Sequence, residues 1–388
     1  MYHCGQTRVD AGTRQGWGMT TRRTVLSLMG AAPVAAVAVP PATGPLPPLD
    51  RLDRLIDELA AADRFAGVVL VVHRGRPVLS RAAGAADRAR GVPHRRDTIF
   101  ALGSVTKMFT AVAVAQLVQR GRIGYHATIG EYLDGFPPEV SGTVTLHQLL
   151  THTSGLGRPP VGPPPWDPAW STVDEVWNGT LDVIRRTPPR FPPGSRHEYS
   201  NDGYTVLGAV VAAVTGRSYY DHVRENVFRR AGMTSTDFYT LPRWRDDRRV
   251  ARPYDAQRVD TLERHPFIGT PDGGAFADAA DLVRFMDALT GERLLDRTHT
   301  ALALSPKYPV PPLPALPDRP AVLPFATYTP TASLINGVWV LGHNGGSTLG
   351  VSTTVDRYPE RDWTTVVLSN HADAAQPVAS LTRTLLTA

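Results

Sequence analysis

Apolar residues first fall into register between Leu49 and Ala62, where Leu52, Leu55, Ile56 and Leu59 recur at helical spacing. Gly67-Val68-Val69-Leu70-Val71-Val72 follows as an unbroken β-branched run, the pattern of a buried strand. Gly75 turns the chain and Pro77-Val78-Leu79 starts a return strand, which predicts a hairpin. From Val105 to Gln119 the period changes to helical, with Phe109, Val112, Ala113 and Leu117 on repeat and Gly121 as the stop. Residues 125–270 mix helical patterns with loops, and Pro and Gly crowd 157–168. Strand patterns return at Val338–Leu341, Val351–Tyr358 and Trp363–Leu368, the last two joined by a Pro359-Glu360-Arg361-Asp362 turn. Leu381–Leu386 predicts a closing helix.

Strands at both ends around a helix-rich middle predict a mixed α/β (α+β) fold, a mainly antiparallel sheet flanked by helices and interrupted by a helical region. We place the sheet region at about 49–104 and 271–388 and the helical region at about 105–270, all within one domain, 49–388. Pro-rich residues 43–48 read as a linker, and a second Pro-rich stretch, 309–330, reads as a long loop, either a plain surface excursion or a part of a pocket wall.

Charge then removes one class of function. The net charge is +5, but residues 1–42 hold Arg8, Arg14, Arg22 and Arg23 against Asp10, leaving little excess for the rest. With no basic run interleaved with aromatics, a nucleic-acid partner is not expected. Thr20-Thr21-Arg22-Arg23 ahead of a weakly apolar Ala-rich run to Val39, with Ala36-Val37-Ala38 as a small-x-small cleavage site, resembles a twin-arginine export signal. Met19 sits where such a signal begins. The apolar run is shorter than the ~20 residues of a membrane helix, so no stable membrane anchor is expected. The single cysteine, Cys4, lies in this leader, which removes disulfides, thiolate catalysis and cysteine metal sites from a processed chain. We expect a secreted monomer.

Lysine usage is the first chemical clue. Only Lys107 and Lys307 stand among 41 lysines and arginines. Arginine keeps its proton in a protein, whereas a desolvated lysine can release it. Lys107 follows Ser104 by three residues at the mouth of a helix, so the two side chains share one face with Cβ atoms ~5–6 Å apart. The amine is then in reach of the hydroxyl proton. Tyr199-Ser200-Asn201, if extended, puts a phenol and an amide on one side. Gly342-His343-Asn344-Gly345-Gly346 follows a strand, and its glycines permit close backbone approach by a ligand. His147 and His152 are five apart and lack a completing carboxylate, so no metal site is expected, nor any cofactor. No serine stands in Gly-x-Ser-x-Gly, which argues against the α/β-hydrolase fold.

The order Ser104-x-x-Lys107, Tyr199-x-Asn201, His343-x-Gly345 resembles the penicillin-recognising serine hydrolases, in the branch of class C β-lactamases, D-alanyl-D-alanine carboxypeptidases and related esterases. Leu149–Leu156, Gly232-Met233 with Thr236, and Gly273-Gly274 leading to Asp281-Leu282 match the same family. The resemblance implies a β-lactamase/transpeptidase-type fold, Ser104 as acylated nucleophile, Lys107 as proton acceptor and Tyr199 as proton shuttle to the leaving group. It implies Asn201 as a holder of substrate amide or of Lys107, and the N–H groups of Ser104 and Gly346 as oxyanion hole. The expected partner is a small-molecule or peptide acyl substrate: a cell-wall peptide, an ester or a β-lactam. The chain departs from the family where β-lactamases carry Lys-Thr-Gly. His343-Asn344-Gly345 lacks a fixed positive charge, since histidine with an ordinary pKa near 6.5 is mostly neutral at pH 7. A D-Ala-D-Ala carboxypeptidase-like peptidase or an esterase is therefore expected ahead of a β-lactamase. A non-catalytic receptor is disfavoured, because pure binding needs none of this proton chemistry.

Overall fold

The computed structural model describes residues 47–157, 166–315, 320–329 and 331–388. The export-signal reading and most of the first linker lie outside these residues.

Helix α1 (Asp50–Ala61) leads into strands β1 (Gly67–His73) and β2 (Arg76–Ala83), a hairpin turned at Arg74 and Gly75, both with positive φ. Near the other end run β3 (Tyr308–Pro309), β4 (Leu323–Ala326), β5 (Thr331–Ile335), β6 (Val338–Ser347), β7 (Val351–Tyr358) and β8 (Trp363–Ser369). These eight form one antiparallel sheet in the order β2-β1-β8-β7-β6-β5-β4-β3. The sequence-distant strands β1 and β8 pair over seven positions, Gly67↔Ser369 to His73↔Trp363, joining the two ends of the chain.

Alternation explains the unbroken apolar runs. Side chains of a strand point to opposite faces in turn. Val68 packs with Val366 and Leu368 in a core shared with the helical region, while Val69 and Val71 pack with Val367 in a second core on the other face. Leu52, Ile56 and Leu59 of α1, with Val378 and Leu386 of a C-terminal helix (Gln376–Thr387), cover that second face. A strand buried on both sides must be apolar at every position.

The helical region contributes α2 (Thr106–Gln119), α3 (Val173–Arg186) and α4 (Asn201–Thr215). Every residue of α2 from Thr106 to Leu117 is buried, so the helix runs through the core rather than over it. The region is not purely helical. Phe100–Ala101, Asp237–Phe238 and Ala275–Ala277 make a small three-stranded sheet beside it. Asp281, in the helix Ala279–Thr290, accepts the N–H groups of Thr234 and Ser235 and the Thr236 hydroxyl, tying together two of the motif stretches. Those residues hold the fold.

The structure departs from the sequence reading in two places that matter for the site. The strand predicted to end at Leu341 continues as β6 to Ser347, carrying Gly342, His343, Asn344, Gly345 and Gly346 inside the sheet. Seven pairings with β7, Leu341↔Arg357 to Ser347↔Val351, hold these weak strand formers in line. Among the described residues β5 pairs with β6 as far as Thr331↔Gly342, and none is paired with β6 on that side from His343 onward. The proline-rich 309–330 stretch is not all loop, since β4 lies within it.

Candidate active site

Ser104 sits in a 3₁₀ turn, Gly103–Val105, that runs directly into α2. In such a turn residues three apart eclipse, which stacks Lys107 over Ser104. Nζ of Lys107 lies 3.3 Å from Ser104 Oγ, 2.7 Å from Asn201 Oδ1 and 2.8 Å from the Asp272 carbonyl oxygen. The lysine is 0% exposed. The two carbonyl oxygens can only accept, so they fix two of its hydrogens. The remaining position faces the serine: an N–H when the amine is charged, a lone pair when it is not.

Asn201 reaches the amine as the first residue of α4, whose N-cap Ser200 accepts from the N–H of Gly203 at 2.9 Å. This corrects the extended reading of Tyr199 and Asn201: the helix start, and not a strand pleat, aims both. Tyr199 is 48% exposed, and its ring centroid lies 4.9 Å from Lys107 Nζ.

Asp272 is the residue sequence reasoning missed. Besides its carbonyl, it brings a carboxylate within 4.0 Å of Lys107 Nζ, anchored by the hydroxyls of Thr205 and Thr270. Its only sequence signal is its place just before Gly273-Gly274. The second lysine has a structural task, donating to the carbonyls of Leu302 and Ser305 at the end of the helix Arg297–Leu304.

The glycines of β6 serve close approach, though to the protein's own backbone. A Cβ on Gly345 would overlap the Leu102 carbonyl oxygen and Thr353 Oγ1, and Thr353 donates to that same carbonyl at 2.8 Å. Gly103 has φ +54°, and a Cβ there would come 3.2 Å from the Gly346 nitrogen. The backbone next to Ser104 therefore runs against that of Gly346, the neighbourhood that an oxyanion hole built from the N–H groups of Ser104 and Gly346 requires.

Two cavities open on Ser104. One, of about 430 Å³, is lined by Tyr199, His152, His197, His343 and the segment around Val310, Pro324 and Thr329. The other, of about 250 Å³, is lined by Asn201, Gly346, Tyr239, Trp244, Ile268 and Phe276. In the first cavity His343 Nδ1 donates to the Asn344 carbonyl at 2.7 Å, leaving Nε2 as an acceptor in the neutral ring. Burial, with the Lys107 charge nearby, lowers its pKa to about 4. Burial also lowers those of His197 and His152, the latter with help from Lys107. Arg383 is the one cation among the described residues lining this cavity, and it is engaged twice by Asp356.

Known proteins resemble this chain. Esterase EstB from Burkholderia gladioli is 35% identical over 240 residues, 57% of this chain and 58% of EstB, so the chain spans under two thirds of that relative. A putative D-alanyl-D-alanine carboxypeptidase from Escherichia coli K12 is 26% identical over 85% of this chain and 84% of its own length. The crystal structure of a penicillin-binding protein from Bacillus halodurans superposes with a TM-score of 0.72 at 27% identity, covering 86% of this chain and 98% of that one. The Beta-lactamase family model matches residues 52–388, and this chain belongs to that family.

Proposed function

We propose that the chain is an exported serine hydrolase that turns over carboxylic esters of uncharged alcohols through an acyl-enzyme on Ser104. The observation that carries this is the buried Lys107 amine, with two hydrogens committed to Asn201 and Asp272 and its third position on Ser104. Uncharged, that amine takes the serine proton as Oγ attacks the ester carbonyl. The N–H groups of Ser104 and Gly346 receive the negative charge on the carbonyl oxygen, where loss of one donor typically costs about 10²–10³ in rate. Tyr199 gives its phenolic hydrogen to the departing alkoxide and regains one from the Lys107 ammonium. Water then attacks the acyl-enzyme, and acid and free Ser104 are restored.

The leaving group therefore occupies the cavity beside Tyr199, and the acyl chain the cavity beside Asn201 and Gly346. A neutral His343 where β-lactamases carry lysine, with Arg383 already paired to Asp356, gives a leaving-group carboxylate little to bind. This favours esters over D-Ala-D-Ala peptides and penicillins. Export rests on the twin-arginine-like leader and is tested by fractionating cells that express the full chain.

Intact-mass spectrometry after mixing with a p-nitrophenyl ester, a penicillin and a D-Ala-D-Ala peptide tests the assignment. Turnover of the ester with a transient acyl adduct on Ser104, absent in Ser104→Ala, is expected. Unchanged turnover in Ser104→Ala refutes the nucleophile, and faster turnover of the peptide refutes the ester preference.

A further inference from the structure

The stretch Leu149–Leu156 has no task in this scheme, yet Thr151, His152, Thr153 and Ser154 are all buried polar residues beside the site. His152 holds the left-handed backbone conformation at φ +58°, uncommon for a residue with a side chain. Its carbonyl oxygen accepts the N–H of Glu198 at 2.9 Å, and its Nδ1 accepts the N–H of Ser200 at 3.1 Å. These are the two residues flanking Tyr199. Its ring also lies 4.5 Å from the Tyr199 ring, tilted by 32°, and 5.2 Å from that of Tyr204. Tyr204 in turn donates to the Leu150 carbonyl at 3.2 Å, so the support is anchored from behind.

We infer that His152 is a positioning residue for Tyr199: it fixes the backbone on both sides of that tyrosine and packs on its ring, setting where the phenol meets the leaving oxygen. Tyr199 needs such a device because nearly half of its surface faces open space. Because Nδ1 accepts an N–H, an uncharged ring carries its hydrogen on Nε2; a charged ring loses the Ser200 contact. The left-handed backbone puts carbonyl and imidazole on the same neighbouring segment, Glu198–Ser200, which explains why residue 152 departs from ordinary φ. The inference rests on the ester reading above.

The test compares two esters of one acid. An ethyl ester must have its alkoxide protonated as it leaves, whereas p-nitrophenolate departs unaided, and kcat/KM reports acylation for both. General acid help is worth about 10²–10⁴-fold, so His152→Ala should lose roughly 30-fold or more on the ethyl ester and under about 3-fold on the p-nitrophenyl ester. His152→Asn tolerates a positive φ and offers Oδ1 to the Ser200 N–H, so it should recover part of the ethyl-ester loss. It also carries the test if the alanine variant fails to fold. In a Tyr199→Phe background the ratio of the two rates should no longer respond to residue 152. Equal losses on both esters, or a changed ratio that persists without the Tyr199 hydroxyl, overturn the positioning role and leave the ester reading standing. Wild-type protein that turns over neither ester overturns both.

Discussion

The two flanks of Ser104 are built from different materials. Beside Asn201 and Gly346 the cavity wall carries Tyr239, Trp244, Ile268 and Phe276 from the helical region and the small sheet, with Thr180, His265, Thr270 and Ser347 set among them. Beside Tyr199 the wall carries three neutral histidines together with Val310, Leu313, Val322, Pro324 and Thr329. In the proposed ester hydrolysis the first flank selects mainly by shape, because its four large apolar side chains offer a substrate little beyond area and volume. In the same scheme the second handles protons and selects by charge, because each histidine there offers a lone pair or an N–H in place of a positive charge. What the flanks share is the backbone seam between Gly103 and Gly345-Gly346, so a change there must be felt on both.

The seam gives the largest effect. Gly345→Ala drives a methyl group into the Leu102 carbonyl, pushing β6 away from Ser104, and should lower kcat by about 10²–10³ on every ester. Stopped-flow rates on esters differing in either half check this; a loss confined to one half would break the idea of a shared seam.

A crossed pair comes next. Ile268→Phe narrows the acyl flank and should cost about 10-fold on hexanoyl relative to acetyl esters, the scale of one or two misfitted methylenes, with no change in leaving-group preference. His343→Lys should raise the preference for leaving groups bearing a carboxylate, by roughly 10-fold at the ~1.4 kcal/mol of one well-placed charge contact, with acyl-length preference unchanged. Steady-state kcat/KM on a grid of acyl and leaving groups reads both, and mixing of the two effects would show that the cavities are not separate.

The smallest effect concerns acid. With His343 held neutral down to about pH 4, leaving-group selectivity should stay flat from pH 8 to 5.5. The fold should weaken sooner. His94 and His371 are buried; His94 Nε2 meets Asn370 Oδ1 at 3.1 Å, but His94 Nδ1 and both His371 nitrogens find no hydrogen-bond partner among the described residues, and burial lowers both pKa values to about 4. Unfolded, each titrates near 6.5, so below that value the unfolded chain binds more protons. Stability present above pH 6.5 is lost toward pH 4, by roughly 1.4 kcal/mol per histidine per unit. Thermal midpoints across pH check this, and His371→Gln should flatten the slope.

The Ser104 and Lys107 pair was legible in the sequence because three residues at a helix start leave few geometries. The hairpin of β1 and β2 and the C-terminal strands were legible because burial on both faces demands continuous β-branched runs. Asp272 was not, since its carbonyl approaches Lys107 across 165 positions with no local pattern to mark it. Nor was the course of β6 through His343, because glycine, histidine and asparagine favour a loop until seven pairings with β7 hold them extended. His152 looked like half of a metal pair that failed on spacing, and its contacts with Glu198 and Ser200 appear only once α4 is in place.

The sequence by itself determined what local chemistry decides: helix starts and stops, which strands are buried, and which serine has a lysine one turn away. The tertiary structure alone added Asp272 and His152, and it brought Asn201 and Gly346, named from the sequence only through the family resemblance, up to Ser104. Each is brought to Ser104 by packing of elements far apart in the chain, and long-range closure leaves its record in complementary surfaces rather than in any window of consecutive residues.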